Sequence, residues 1–436
     1  MTINPLAQEL NETLQREAPA VYEMLSQIGK RYYFPKGIIS QSAEAKAKAH
    51  KFNATIGIAL EKGAAMHLPS IKAMLPDIDT ADAFPYAPVS GKPALRDLWR
   101  EKQVAENPSL AGKKVSQPIV TSALTHGLSL ISEMFVDPGD VLILPDQLWG
   151  NYRLTFQVRQ QGKIETFPFF SGGGFNIEGF KQTLWEQSKT NEKLIVVLNF
   201  PNNPTGYTPT VAEAEQIVGL LRELADSTRL VVVCDDAYFN LVYDDGCIQE
   251  SIFGLLADAH PNLLAIRLDG ATKEQFVWGF RVGFLTYGSG ALGDLDATYQ
   301  ALEKKTGGLI RGGISNSPHV SQTLLLKALQ KPETKSQQEE KRGVLRERAL
   351  RAREVLENSK FSDVFETYPF NSGYFMCMKL KNVDAEPLRI HLLDKYGVGT
   401  IATAKRDLRV AFSCLEVGDI EEVYDTIYQG AKDLES

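Results

Sequence analysis

Cysteine is scarce in this chain and nowhere closely paired. Four occur among 436 residues, Cys234, Cys247, Cys377 and Cys414, with no CxxC spacing, and the six histidines do not cluster with them. A disulfide framework or a Cys/His metal site is therefore not expected. Long hydrophobic runs are also missing. No apolar stretch approaches the ~18 residues of a membrane span. The opening Met1-Thr-Ile-Asn-Pro5 leads into mixed-polarity residues rather than a hydrophobic signal core. Nor is there an excess of positive charge. The formal charge is −7, which argues against a nucleic acid or an anionic membrane as partner. Together these absences lead us to expect a cytoplasmic protein.

What is present is an ordinary globular balance, 43% hydrophobic and 23% charged, with enough apolar side chain for a substantial core. The length suits two or three domains. Between residues 118 and 268 strand-like and helix-like runs alternate. Strands are expected at Pro118–Thr121, Asp140–Leu144, Leu194–Leu198, Leu230–Cys234 and Leu263–Leu268. Helices are expected at Thr125–Phe135, Gly150–Gln161 and Val211–Asp226. Short β-rich runs separated by helical patterns imply crossovers and a mostly parallel sheet, an α/β fold. Near residue 330 the rhythm changes. A charged helix is expected over Lys335–Asn358, then a strand at Tyr374–Met378, a helix near Glu386–Tyr396, a strand at Leu408–Phe412 and a closing helix after Val417. This reads as a second, smaller α/β domain made of 1–75 and 331–436, against a large domain over 76–330.

Two glycine clusters are turns rather than phosphate loops. Gly288-Ser-Gly290-Ala-Leu-Gly293 fits GxGxxG, but no acidic residue ends a second strand about 20 residues on. Gly172-Gly-Gly174 opens no helix with phosphate-binding spacing.

The chemistry concentrates after the strands. Lys273 follows Leu263–Leu268 within Asp269-Gly-Ala-Thr-Lys273, and Arg281 comes eight residues later. Asp235 directly follows Leu230–Cys234, with Tyr238 close behind. Asn203 sits in Asn199-Phe-Pro-Asn-Asn-Pro-Thr-Gly206, a turn signal after an apolar strand. In open α/β sheets, sites gather outside the carboxyl ends of strands. Arg409 is a charge inside a short apolar strand. A buried arginine without an anion is costly, so a ligand carboxylate is its expected partner.

In this order and at these separations, the motifs resemble the pyridoxal-phosphate (PLP) aminotransferases of class I/II, the aspartate-aminotransferase superfamily. The resemblance covers about residues 50 to 415. It implies fold type I, with a large, mostly parallel seven-stranded sheet and a smaller α/β domain. It implies that Lys273 is the Schiff-base lysine and proton carrier, that Asp235 pairs with the pyridine nitrogen, and that Tyr238 and Asn203 hold the phenolic oxygen. Thr272 and Arg281 resemble the phosphate partners. The family's serine three residues before the lysine is Gly270 here. The family's phosphate-loop glycine is also replaced, since the chain runs Ser122-Ala-Leu-Thr125. Ala123, Leu124 and Thr125 are expected to offer backbone N–H groups there, with ordinary α-region dihedrals. Trp149, in Trp-Gly-Asn, resembles the ring that stacks on the cofactor. Arg409 resembles the α-carboxylate arginine. Asn199, Asn371–Phe375 and Gly57 are placed with the substrate.

Tyr86 resembles a tyrosine that reaches the phosphate of the other subunit. Arg311 resembles the arginine that clamps a distal carboxylate across the same interface. A homodimer with shared sites is thus implied. So is ping-pong transfer of an amino group between an amino acid (aspartate, glutamate or aromatic) and a 2-oxo acid such as 2-oxoglutarate. A PLP lyase or decarboxylase would use the same cofactor residues. A non-catalytic regulator is a further alternative, but the regulators of this lineage carry an N-terminal DNA-binding extension, and no basic module precedes this fold.

Overall fold

The computed structural model describes residues 3–17, 19–33 and 37–435. The alternating middle of the chain builds one seven-stranded sheet. Its strands in chain order are β1 (Ile119–Thr121), β2 (Val141–Pro145), β3 (Lys163–Phe167), β4 (Lys193–Asn199), β5 (Arg229–Asp235), β6 (Leu263–Gly270) and β7 (Gly283–Ser289). Their spatial order is β1-β7-β6-β5-β4-β2-β3. Only β7 runs antiparallel to its neighbours. The apolar runs of the central strands follow from burial on both faces. Leu194, Val196 and Leu198 of β4 enter one core, while Ile195 and Val197 enter the other.

Helices supply the crossovers. Here α1 (Ala123–Phe135) follows β1 and α2 (Val211–Ala225) follows β4, while the single turn α3 (Ala271–Glu274) lies in the connection from β6 to its antiparallel neighbour β7. A capping box starts α2: the Thr210 hydroxyl accepts from the Glu213 N–H, and the Glu213 carboxylate accepts from the Thr210 N–H. The helix expected over 150–161 instead contains a wider π-helical stretch, Arg153–Arg159.

After residue 330 the long charged segment forms α4 (Pro332–Leu356), with Pro332 in its first turn. Its low overall hydrophobicity hides a buried stripe that includes Leu345, Arg348, Ala349, Ala352 and Val355. Arg348 is wholly buried there. It donates to the carbonyls of Leu60 and Ser413 at 2.6 and 2.7 Å and to Glu416 at 2.8 Å. A four-stranded antiparallel sheet follows, ordered β8 (Phe365–Thr367), β9 (Met376–Leu380), β11 (Asp407–Val410), β10 (Ile401–Ala402). The helices α5 (Ala385–Tyr396) and α6 (Ile420–Glu435) accompany it. The strand expected at Tyr374–Met378 is displaced: Tyr374 and Phe375 precede β9, because Gly373 turns the chain at φ 73°. The N-terminal part joins this region, with Phe52 and Asn53 pairing in parallel with Val398 and Gly399.

The glycine clusters serve packing and turns. A Cβ on Gly288 would lie 2.8 Å from the Ala257 Cα, so β7 needs glycine for close approach. Gly172 and Gly173 form the turn of a small hairpin, Phe170–Ser171 with Gly174–Phe175.

Candidate active site

Parallel register brings the chemistry together. Asp235, the last residue of β5, stands level with Asn199 of β4 and Leu268 of β6. Five residues beyond Leu268, Lys273 lies in the single turn α3. The carboxyl ends of β4, β5 and β6, the start of α1, and β11 enclose a cavity of about 280 Å³. Of the residues singled out from the sequence, Ala123, Leu124, Thr125, Trp149 and Asn203 line it, as do Asp235, Tyr238, Thr272, Lys273 and Arg281. Gly57, Asn199, Phe375 and Arg409 complete the set. Tyr86 and Arg311 lie outside the cavity, both exposed; Arg311 donates to the Ser315 hydroxyl at 2.6 Å. Asn371 is also outside, bonding to Thr208 and Cys247.

The Lys273 amine lies 4.8 Å from the Tyr238 ring centroid. Burial pushes its pKa down to about 8, nearby Asp235 opposes that shift, and Arg281 adds to it. Asp235 is buried, and burial raises its carboxyl pKa. Its Oδ2 accepts from the Tyr152 hydroxyl at 2.6 Å and its Oδ1 from the Ala237 N–H at 3.2 Å. Its neighbour Asp236 faces away and accepts from Arg267 at 2.6 Å, as strand alternation requires. Asn199 braces the strand ends: its Nδ2 donates to the Asp235 carbonyl and its Oδ1 accepts from the Asn203 N–H, both at 2.9 Å.

Arg409 is 1% exposed. It donates to the Asn203 Oδ1 at 2.9 Å and to the Thr55 carbonyl at 3.0 Å, and its guanidinium lies 4.0 Å from the Phe375 ring centroid. Its Nε is buried without a partner among the described residues. Since the Asn203 oxygen is taken by Arg409, the Asn203 amide NH₂ is the end left to donate elsewhere. Gly206 makes this approach possible. It has φ +74°, and a Cβ there would sit 2.0 Å from the Phe375 carbonyl oxygen.

The start of α1 departs from expectation. Ala123 does not enter the helix with ordinary dihedrals. It adopts φ +62°, the left-handed region. The chain must turn from β1 into α1 within one residue, hard against Gly283, whose Cβ would meet the Ala123 carbonyl carbon at 2.8 Å. A left-handed alanine costs roughly 1–2 kcal/mol. Ala123→Gly is therefore expected to raise the unfolding free energy by about 1 kcal/mol, once glycine's greater unfolded-state entropy is subtracted. Urea denaturation measures this, and a destabilised variant would contradict it.

Tyr152 escaped the sequence reading, although it stands three residues after Trp149, one helical turn along. The two rings meet edge to face at 5.7 Å. A hydrogen bond to a charged group contributes about 1.5–3 kcal/mol. Tyr152→Phe should weaken the anionic form of Asp235 and lower kcat roughly ten- to hundredfold, with KM for the amino acid little changed. A kcat within twofold of wild type would remove Tyr152 from the site's electrostatics. Trp278 and Ile38 also line the cavity unforeseen. Only the place of Trp278, five residues beyond Lys273 in the same tight loop, could have signalled it.

Whether the lining suits pyridoxal phosphate can be judged from its unsatisfied groups. The Thr272 Oγ1 is buried without a partner among the described residues. The lysine is held half-neutral near pH 8, and a carboxylate faces the same space. These groups match the needs of an aldehyde, a ring nitrogen and a phosphate, so the residues fit the group.

A family model for aminotransferases of class I and II matches residues 50–427. A probable aspartate/prephenate aminotransferase of Aquifex aeolicus is 27% identical over 299 residues, spanning 66% of this chain and 69% of that protein. One from Thermus aquaticus is 28% identical over 261 residues, 55% of this chain and 62% of that protein. Among solved structures, an aminotransferase from Anaerococcus prevotii superposes with a TM-score of 0.80 at 23% identity, covering 93% of this chain and 98% of that one, a likeness of fold. The match takes in most of the chain and every strand of the large sheet, and on that ground the chain belongs to the aminotransferases of class I and II, which work with pyridoxal phosphate.

Proposed function

We propose that this enzyme moves an amino group between an amino acid, namely aspartate, glutamate or an aromatic one, and a 2-oxo acid such as 2-oxoglutarate, in a ping-pong cycle. The observation that carries the reading is the meeting of Lys273, Asp235 and Arg409 around one cavity. The names of the relatives supply the aspartate preference.

Pyridoxal phosphate, when bound, withdraws electrons from the substrate Cα. The protein's part is to hold and move protons around that carbon. Lys273 is the base: a neutral amine is available near neutral pH because burial disfavours its cation. Asp235, fixed by Tyr152 and the Ala237 N–H, holds a proton on the ring nitrogen. Tyr238 and the Asn203 amide donate to the phenolic oxygen. Thr272, Arg281 and the N–H groups opening α1 take the phosphate. Arg409 binds the substrate α-carboxylate with a planar fork, Trp149 covers the ring, and Gly57 borders the substrate.

The same reading makes the protein a homodimer of the cytoplasm. Phe84 and Tyr86 are 82% and 87% exposed, an aromatic pair that a second copy would cover. In that arrangement Tyr86 reaches the partner's phosphate and Arg311 a distal carboxylate. No helix among the described residues is long and apolar enough to cross a membrane.

The test is the visible spectrum of the protein with added PLP, before and after single amino acids. Conversion of the cofactor band to the amine form by aspartate, glutamate or phenylalanine supports the proposal and ranks the donors. Release of ammonia or CO₂ instead would make the enzyme a lyase or decarboxylase.

A further inference from the structure

The phosphate end of this cavity has lost donors that the motif pattern would supply. Gly270 stands where the resembling family carries serine, and the fold forbids any side chain there. A Cβ on Gly270 would lie 2.8 Å from both the Gly283 Cα and the Val282 carbonyl oxygen. The Ser122 N–H, at the start of α1, is already spent on the His126 Nδ1 at 3.0 Å.

Beside the unpartnered Thr272 hydroxyl, the same wall carries a second donor with no acceptor. The indole Nε1 of Trp278 is buried and has no partner among the described residues. Buried indole N–H groups usually find an acceptor, and leaving one unmade costs about 1–3 kcal/mol. Trp278 lines the cavity together with Thr272 and Arg281, and the three are tied by one loop. The Arg281 guanidinium donates to the Trp278 carbonyl at 3.1 Å, and the Val277 N–H donates to the Thr272 carbonyl at 3.2 Å. The ring is held from two sides, by Phe276 at 6.0 Å and Tyr374 at 6.5 Å between centroids. Tyr374 in turn donates to the Lys273 carbonyl at 3.3 Å.

We propose that the Trp278 indole N–H is a cofactor-binding donor to a phosphate oxygen, standing in for the hydroxyl that residue 270 cannot carry. The inference rests on the aminotransferase reading above. An indole suits this role because it donates only, and it keeps its proton at any pH at which the enzyme works.

Trp278→Phe removes the donor and keeps an aromatic ring. Equilibrium dialysis of the apoenzyme against PLP should show Kd raised about tenfold, while Kd for pyridoxal, which lacks the phosphate, stays unchanged. At saturating PLP, the phosphorus-31 resonance of the bound cofactor should differ between the two proteins. Equal weakening for PLP and pyridoxal would assign the effect to ring packing and overturn the proposal. So would an unchanged PLP Kd accompanied by a raised amino-acid KM, which would make the acceptor the substrate carboxylate. A variant that falls apart into monomers while its monomer binds PLP as before would place the acceptor on a second copy instead. Failure of the wild-type protein itself to bind PLP would sink the aminotransferase reading, and this inference with it.

Discussion

Lys273→Ala should lower the rate of amino-group transfer by at least ~10²–10⁴-fold, the range that a positioned acid–base group contributes. It should also abolish the lysine-bound cofactor band in the visible spectrum. The physical ground is the setting of the amine. It is desolvated, it lies against the Tyr238 ring, and it forms no hydrogen bond with a described residue. Burial places its pKa at about 8 rather than 10.5. The sign of the pH dependence follows. The neutral amine is the reactive form, so capture of PLP by apoenzyme should accelerate about tenfold per pH unit below about 8 and level off above it. A lysine left at its ordinary value would still be climbing at pH 10. Stopped-flow absorbance across pH 6–10 separates the two. A flat profile, or an alanine variant that turns over normally, would take the catalytic role away from Lys273.

Arg267→Met should cost about 3–5 kcal/mol of stability, the usual penalty for removing one partner of a buried ion pair. That is a large part of the roughly 5–15 kcal/mol that holds a typical domain folded. Arg267 is wholly buried in β6. It donates to Asp236 at 2.6 Å, lies 3.5 Å from Asp269, and stacks 4.5 Å from the Phe239 ring centroid. Asp269 is buried too, taking further hydrogen bonds from Trp99 and Gln103 at 3.1 Å. Without the guanidinium, two carboxylates face each other with no cation between them. Burial already raises the Asp236 carboxyl to about 7, and Arg267 is the main force holding it down. In the variant it rises further. A carboxyl whose folded pKa exceeds its unfolded value loses stability as pH climbs through that interval. The deficit against wild type should therefore be largest above pH 7 and shrink on acidification. Urea denaturation at pH 8 and pH 5.5 measures both values, and a variant within 1 kcal/mol of wild type at pH 8 would contradict the account. Asp236 adjoins Asp235, and Asp269 lies four residues before Lys273, so the network also steadies the segments that carry both cavity-lining groups.

The contrast between Arg409 and Arg267 shows how far sequence reasoning reaches. Both are charges within short apolar strands, and the same argument, that a buried arginine requires an anion, applies to each. For Arg409 it led to the cavity. For Arg267 the anions are Asp236 and Asp269; alternation puts Asp269, two residues on in the same strand, on the face of Arg267, but nothing in the linear order brings Asp236 of β5 into that layer. The Asp235–Asp236 pair was separable in advance, because alternation along a strand sends neighbours to opposite faces. Tyr152 was not, because it lies in a helical segment and its partner Asp235 is supplied by β5, 83 residues further along the chain.

By itself the sequence determined the α/β class, five of the seven strands of the large sheet, and the strand ends and turns that carry Lys273, Asp235, Asn203, Tyr238, Arg281 and Arg409; the count of seven came from the family resemblance. Each of these depends on local pattern: a buried run of apolar residues, a strand end, a turn residue, or a charge where none should be. Only the tertiary structure decided the rest. The left-handed turn at Ala123, the exclusion of any side chain at Gly270, the Tyr152–Asp235 bond and the free indole N–H of Trp278 all arise where separate strands and loops meet. Whether a backbone has room for a Cβ, or a buried donor has an acceptor, depends on atoms far away in the chain, and no local signal encodes that distance.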